Sequence, residues 1–205
     1  YCEMMVLTPL GEPLQWRGLG DLLDYHASIG SNNLALTTNG MLLNDHNAER
    51  LVRGQLSRMF ISIDSNDPDI YRDMRVGGNL KDVEAGIRRI NNWKRKLNAN
   101  FPRLVVNATF MQRNIPQLPS MVGWAKDLGI EEISVQLMEI ENPHHEPEFL
   151  GHHPGLARKY VLEALQIGQR IGMQVRPHLA IRNLVTAEAQ GRDVGGHEFK
   201  ASSPI

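Results

Sequence analysis

Six short apolar runs, each closed by polar or chain-breaking residues, alternate along this chain with stretches that carry apolar residues three and four apart. The runs are Met4–Thr8, Asn33–Thr38, Arg58–Asp64, Leu104–Phe110, Glu132–Met138 and a short Met173–Arg176. Between them the spacing predicts helices over Gln15–Ile29, from an Asn44 cap, from an Asn79 cap, from Pro116, and over Leu156–Ile171. A single helical turn is expected at Tyr71–Met74, and Gly30, Gly129 and Gly172 stand where helices end. Alternation sustained in this way points to one class, α/β, with parallel strands joined by right-handed crossovers.

The stretch Met4–Leu14 (MMVLTPLGEPL) shows what the strand ends offer. Continuous apolar residues stopped by such breakers predict a strand buried on both faces that leads into a loop. Gly11 has no Cβ, so the backbone there can approach a ligand. Glu12 and Pro13 follow, placing a carboxylate at the C-terminal edge of the strand, where ligands bind in parallel α/β sheets. The other runs also end in polar groups: Thr38 and Asn39, Ser62 and Asp64, Asn107 and Thr109, and Gln136. Residues two apart on a strand share a face, so Ser62 and Asp64 are expected to point the same way. These ends form one polar rim, and the rim is the candidate site.

Composition narrows the partners. The chain has 205 residues, 41% hydrophobic, with a formal net charge of −1. That balance implies no broad basic field for nucleic acid, and the cluster Arg88, Arg89, Lys94, Arg95 and Lys96 reads as a solvated helix face. No run approaches the ~18 apolar residues of a membrane helix, and no signal-peptide pattern is visible, so a cytoplasmic location is expected. No G-x-G-x-x-G follows a strand and no P-loop occurs. The single cysteine, Cys2, excludes an internal disulfide. The loop Asn142–Pro154 holds His144, His145, His152, His153, Glu146 and Glu148. Its adjacent histidine pairs match no tight metal-ligand spacing, and a substrate-facing lid is the expectation. Trp16, Trp93 and Trp124 read as packing residues.

Taken in order, these strand ends resemble those of the radical S-adenosylmethionine (radical SAM) enzymes. LTPLGEPL looks like the Gly-Gly-Glu motif in the form found in the SPASM/Twitch branch, with Leu10 in place of the first glycine. LALTTNGMLL resembles the family's third strand. FISIDSNDPDIYRDMRVGGNLKDVEAGIRRI resembles its fourth strand with the Ser-x-Asp end and following helix. LVVNATFMQRNIPQLPSMVGWAKDLGIEEISVQ resembles the fifth strand, fifth helix and sixth strand. The resemblance spans residues 4–140 and implies a partial (β/α)6 TIM-like barrel. On that mapping the first run is the family's second strand, and the first β/α unit, whose loop carries the Cys-x-x-x-Cys-x-x-Cys that binds a four-iron four-sulfur (4Fe-4S) cluster, is expected to be missing.

The resemblance also implies roles. Glu12 would accept hydrogen bonds from the methionine ammonium of S-adenosylmethionine, with Gly11 and Pro13 shaping that turn. Ser62 and Asp64 would hold the ribose hydroxyls. Asn39, Asn107 and Gln136 would line the cofactor pocket, and Arg75 would order the loop or meet the cofactor carboxylate. Cys2 resembles the end of the cluster motif and is the one metal-ligand candidate, although one thiolate cannot replace three. Family chemistry implies reductive cleavage of the cofactor, hydrogen abstraction from a peptide or a sugar or aminocyclitol, a reductant such as flavodoxin or ferredoxin, and auxiliary 4Fe-4S clusters. Residues 1–176 would be the core and 177–205 an extension, poorly ordered or the start of an auxiliary segment. Two alternatives stay open. An unrelated TIM-barrel lyase or isomerase would place Lys or His at a strand end, and none stands at the ends read above. A degenerate relative would keep the pocket and bind without radical chemistry.

Overall fold

A computed structural model describes residues 4–8, 11–31, 33–140 and 143–189. Its strands are β1 (Met5–Leu7), β2 (Leu34–Thr38), β3 (Arg58–Ser62), β4 (Arg103–Phe110), β5 (Glu132–Leu137) and β6 (Gln174–Pro177). They form one sheet in the order β1-β2-β3-β4-β5-β6, and every neighbouring pair is parallel. The helices are α1 (Leu19–Ser28), α2 (Asp45–Arg53), α3 (Pro68–Met74), α4 (Leu80–Lys96), α5 (Leu118–Asp127), α6 (Pro154–Ile171) and α7 (Leu179–Ala189).

Strand order equal to sequence order has a geometric consequence. Right-handed crossovers between successive neighbours put every crossover helix on the same face of the sheet. Burial agrees with this. Met59 and Ile61 of β3, Leu104, Val106, Ala108 and Phe110 of β4, and Ile133 and Val135 of β5 belong to one buried cluster with α4, α5 and α6. The alternate positions point away from the helices and are polar or half-exposed: Arg58 and Ser62, Asn107 and Thr109, Ser134 and Gln136, Gln174 and Arg176. Among the described residues the sheet therefore has an apolar, helix-covered face and a largely polar face without helices, on which Ala35 and Val105 are the buried apolar residues.

Local signals place the elements. The side chain of Asn44 accepts from the Asn47 N–H at 2.9 Å and caps α2, and Asn79 accepts from the Lys81 N–H at 3.1 Å at the start of α4. Asp67 caps α3 by accepting from Asp69 and Ile70, with Pro68 in the first turn. The α4 stripe Leu80, Val83, Ile87 and Ile90 is buried as its spacing requires.

Several expectations need correction. Among the described residues β1 is the edge strand, paired on one side, and Met4, Met5 and Val6 are 39%, 50% and 38% exposed rather than buried on both faces. The helix expected from Gln15 divides into a short turn at Pro13–Gln15 and α1, with Trp16 half-exposed between them. The turn at Tyr71–Met74 is a full helix, α3, because the Asp67 cap and Pro68 start it earlier. Beyond Pro177, where no periodicity was legible, α7 forms and buries Ile181 and Leu184. Within the basic cluster, Lys94 bonds Pro102 O and Glu131 at 2.9 Å and Arg89 bonds Leu43 O at 3.1 Å, so those two are not simply solvated. Cys2 and the tail 190–205 lie outside the described residues.

Gly86 marks the closest approach of α4 to the β2–α2 loop. A Cβ there would stand 2.5 Å from Leu43 Cβ, an atom with no rotamer in which to retreat. Alanine favours a helix over glycine by about 1 kcal/mol, whereas overpacking costs about 1–3 kcal/mol. The clash should win: Gly86→Ala is expected to lower stability in urea melts, and an increase would show that Leu43 gives way.

Candidate functional site

The C-terminal rim is assembled around Glu12. Gly11 adopts φ +106°, and Glu12 then caps the short Pro13–Gln15 turn by accepting from the Leu14 N–H at 3.2 Å. Buried Pro13 holds the turn in place. The Glu12 carboxylate reaches across to the end of β2. Oε1 accepts from Thr38 Oγ1 at 2.6 Å, and Oε2 accepts from the Asn39 N–H at 2.9 Å. Thr38 Oγ1 in turn accepts from the Gly40 N–H at 3.0 Å, and Asn39 Oδ1 accepts from the Met41 N–H at 2.9 Å. Gly40 needs its φ of +78°, and a side chain there would strike Val83. An ionised carboxylate offers about four acceptor sites. Oε2 carries a single bond among the described residues, so it retains a lone pair at the rim.

On β3 and β4, Ser62 and Asn107 are register partners and share the helix-free face. Asp64 does not join them. β3 ends at Ser62, and Asp64 is 4% exposed, turned into the seam with β4. Its Oδ2 accepts from Arg75 Nε at 2.7 Å and its Oδ1 from the Thr109 N–H at 2.8 Å. Asn114, fully buried, donates from Nδ2 to Asp64 O at 2.8 Å and to Thr109 O at 2.9 Å, while its Oδ1 accepts from the Met111 N–H at 2.8 Å. Asp64 and Arg75 thus stand as an internal pair that ties the loop after β3 to β4. Asn114 gave no motif signal; only the loop contact reveals it. Tyr71 packs behind this pair, 1% exposed. Burial raises its hydroxyl above the ordinary tyrosine value of 10.0, Arg75 pulls it back, and Asp64 adds to the rise.

Further along the rim, Thr109 and Gln136 are register partners, and Gln136 Nε2 donates to Ser134 Oγ at 2.6 Å. His178 stands directly after β6, its N–H bonded to Val135 O at 2.8 Å, so a histidine does occur next to a strand end, because β6 runs to Pro177, one residue beyond the expected Arg176. The histidine-rich loop is pinned to the connection after β4. Glu148 O accepts from the Gln112 N–H at 2.8 Å, and its carboxylate accepts from Arg113 N and Nε at 3.0 and 3.1 Å. That anchors the loop beside the rim. Among the described residues no group of three or more His, Cys, Asp or Glu side chains converges as a metal site, and no helix is long and apolar enough to cross a membrane.

Comparison with known proteins adds the following. Residues 5–98 match the family model described as Radical SAM superfamily. A protein named "Probable GTP 3′,8-cyclase" from Methanococcus maripaludis is 27% identical over 174 residues, covering 77% of this chain and 56% of that protein. A "GTP 3′,8-cyclase" from Alkaliphilus metalliredigens is 35% identical over 147 residues, covering 62% and 46%. The chain thus spans about half the length of these curated relatives. Among solved structures, Streptococcus suis SuiB bound to S-adenosylmethionine aligns with a TM-score of 0.61 at 17% identity, covering 82% of this chain and 38% of that one, a likeness of fold.

The Tyr71 environment carries a pH signature. With the folded value raised, the native chain keeps the phenol proton after the unfolded chain has released it. Stability should therefore be full below about pH 10 and fall as pH rises beyond it. Urea melts from about pH 9 to about pH 11 should show a shallower decline in Tyr71→Phe than in the parent. Parallel slopes would count against the buried phenol.

Proposed function

We propose that this chain, residues 5–98 of which match the radical SAM superfamily model, is a member of that superfamily and forms the S-adenosylmethionine-binding core of a radical enzyme. The carrying observation is the Glu12 carboxylate, oriented by Thr38 and Asn39 with a lone pair left at the rim. When bound and cleaved with one electron from a cluster held elsewhere, S-adenosylmethionine would supply the radical chemistry that takes a hydrogen atom from a substrate.

The chain's own residues do the holding. Glu12 accepts an N–H of the methionine ammonium, a charge-assisted bond worth about 1.5–3 kcal/mol. Ser62 and Asn107, side by side, offer a hydroxyl and a carboxamide to the ribose hydroxyls. Gly11 and Pro13 set the backbone turn that presents Glu12. Asn39 lines the methionine end, and Gln136 the far side of the pocket. Asp64 and Arg75 act through the loop they pin, as positioning residues. The 4Fe-4S cluster does not fit within this sequence, because Cys2 alone cannot supply three thiolates. The substrate has two readings: the SPASM/Twitch resemblance suggests a peptide or a sugar or aminocyclitol, and the relatives named GTP 3′,8-cyclase favour a purine nucleotide. A reductant of the flavodoxin or ferredoxin kind would supply the electron.

Calorimetric titration with S-adenosylmethionine tests the assignment. Glu12→Gln should weaken binding roughly tenfold or more, the factor that goes with ~1.4 kcal/mol. Thr38→Val keeps the charge but loosens its orientation and should cost less. Equal affinity in parent and Glu12→Gln would remove Glu12 from the cofactor site.

A further inference from the structure

The helix-free face carries a second cluster, away from the Glu12 rim and nearer the middle and N-terminal ends of the strands. Glu132 of β5 is 3% exposed, an ionisable group buried on the face that lacks helices. Two guanidinium groups approach its Oε2, Arg58 NH1 from β3 at 3.5 Å and Arg176 Nε from β6 at 3.3 Å. Neither makes a hydrogen bond, so Oε2 is a buried oxygen without a hydrogen-bond partner among the described residues. Beside it, Gln174 Oε1 accepts from Arg103 NH2 at 3.4 Å and from Arg176 NH2 at 3.1 Å. Three arginines from three strands therefore converge on one carboxylate and one carboxamide oxygen.

The charges do not cancel. Three guanidiniums against one carboxylate leave a surplus of two positive charges. Each guanidinium has five N–H donors, and the two acceptors engage only a few of them. A finished internal ion pair would show close, bidentate hydrogen bonds to repay its desolvation; here the carboxylate contacts are long and unaligned. The cluster is also open: the Arg58 and Arg176 side chains are 27% and 55% exposed. Its row structure leads to the rim. Val105, Glu132 and Gln174 are register partners, the next row is Asn107, Ser134 and Arg176, and the one above holds Thr109 and Gln136. Glu132 to Gln136 is about 13 Å along the strand.

We propose that Arg58, Arg103 and Arg176 bind an oxyanion group, carboxylate or phosphate, of an elongated substrate whose reacting end lies at the rim. The planar guanidinium fork matches both anions. Glu132 holds the arginines together while the site is empty and lowers its affinity, since its charge opposes the incoming anion. The substrate part of this inference rests on the cofactor reading above; the anion site itself does not.

The test is a thermal-shift titration of the full chain with sodium pyrophosphate and, separately, sodium succinate, at constant ionic strength. At least one anion should raise Tm saturably, as a ligand of the native state must. A response to pyrophosphate alone assigns a phosphorylated substrate, and a response to succinate alone a carboxylated one. Arg103→Gln removes a side chain whose hydrogen bond among the described residues is the long one to Gln174, so it should fold and bind about tenfold more weakly, with Arg103→Lys in between. Glu132→Gln should bind more tightly than the parent, an outcome that a merely structural ion pair would not produce. No saturable shift with either anion, or an Arg103→Gln response equal to the parent's, would overturn the proposal. Measuring S-adenosylmethionine binding on the same sample separates that failure from failure of the cofactor assignment.

Discussion

Winding in one direction governs this molecule. Six strands laid down in sequence order, each joined to the next by a right-handed crossover, leave no freedom about where the helices go. All of the crossovers cover one face, where Leu104, Val106, Phe110, Ile133 and Val135 meet the helices in a continuous apolar layer. The opposite face is left to side chains alone. Strand alternation then populates it mainly with serine, threonine, asparagine, glutamine, arginine and one glutamate, beside Ala35, Phe60 and Val105. A doubly wound sheet of the same composition would have buried those groups under helices at large desolvation cost.

Two polar latches finish the rim. Glu12 ties the loop after β1 to the end of β2, and Asp64 with Asn114 ties the loop after β3 to β4. Both work by satisfying backbone N–H or C=O groups that a strand end leaves without a ladder partner. They differ in what remains afterwards. Asp64 is buried with both oxygens engaged, whereas Glu12 stays partly exposed with acceptor capacity to spare. That difference separates a residue that shapes the site from one able to hold a ligand. The guanidinium cluster around Glu132 is a third polar arrangement on the same sheet, and the one whose charges are left unbalanced.

Much of this was legible in the residues. Apolar runs and helical spacing locate the strands and five of the helices, α1, α2, α4, α5 and α6, because core burial imposes those periods directly. The Asn44 and Asn79 caps, and the glycine at the end of α6, acted through local backbone chemistry and were readable for that reason. The strand-end groups Glu12, Asn39, Ser62 and Asn107 stand out in the sequence as well, since polar residues closing apolar strands have few other reasons to be there. The family likeness rested on the same strand ends and agrees with the match over residues 5–98.

Periodic and local signals in the residues carry element type, the parallel class and the list of polar strand ends. Partnership is settled only when the chain folds. Asp64 looks equivalent to Ser62 at two-residue spacing, yet β3 stops between them, Arg75 and Thr109 claim its carboxylate, and Asn114 bonds its backbone carbonyl. β1 reads as a buried strand, yet among the described residues it has one neighbour and stays partly exposed. α7 shows no readable stripe, yet it is held by contacts with α6 and the sheet. Arg58, Arg103, Glu132 and Arg176 look like scattered charges until the register of four strands aligns them. In each case the deciding contact joins residues far apart in the chain, and local propensity contains no information about who the neighbour will be.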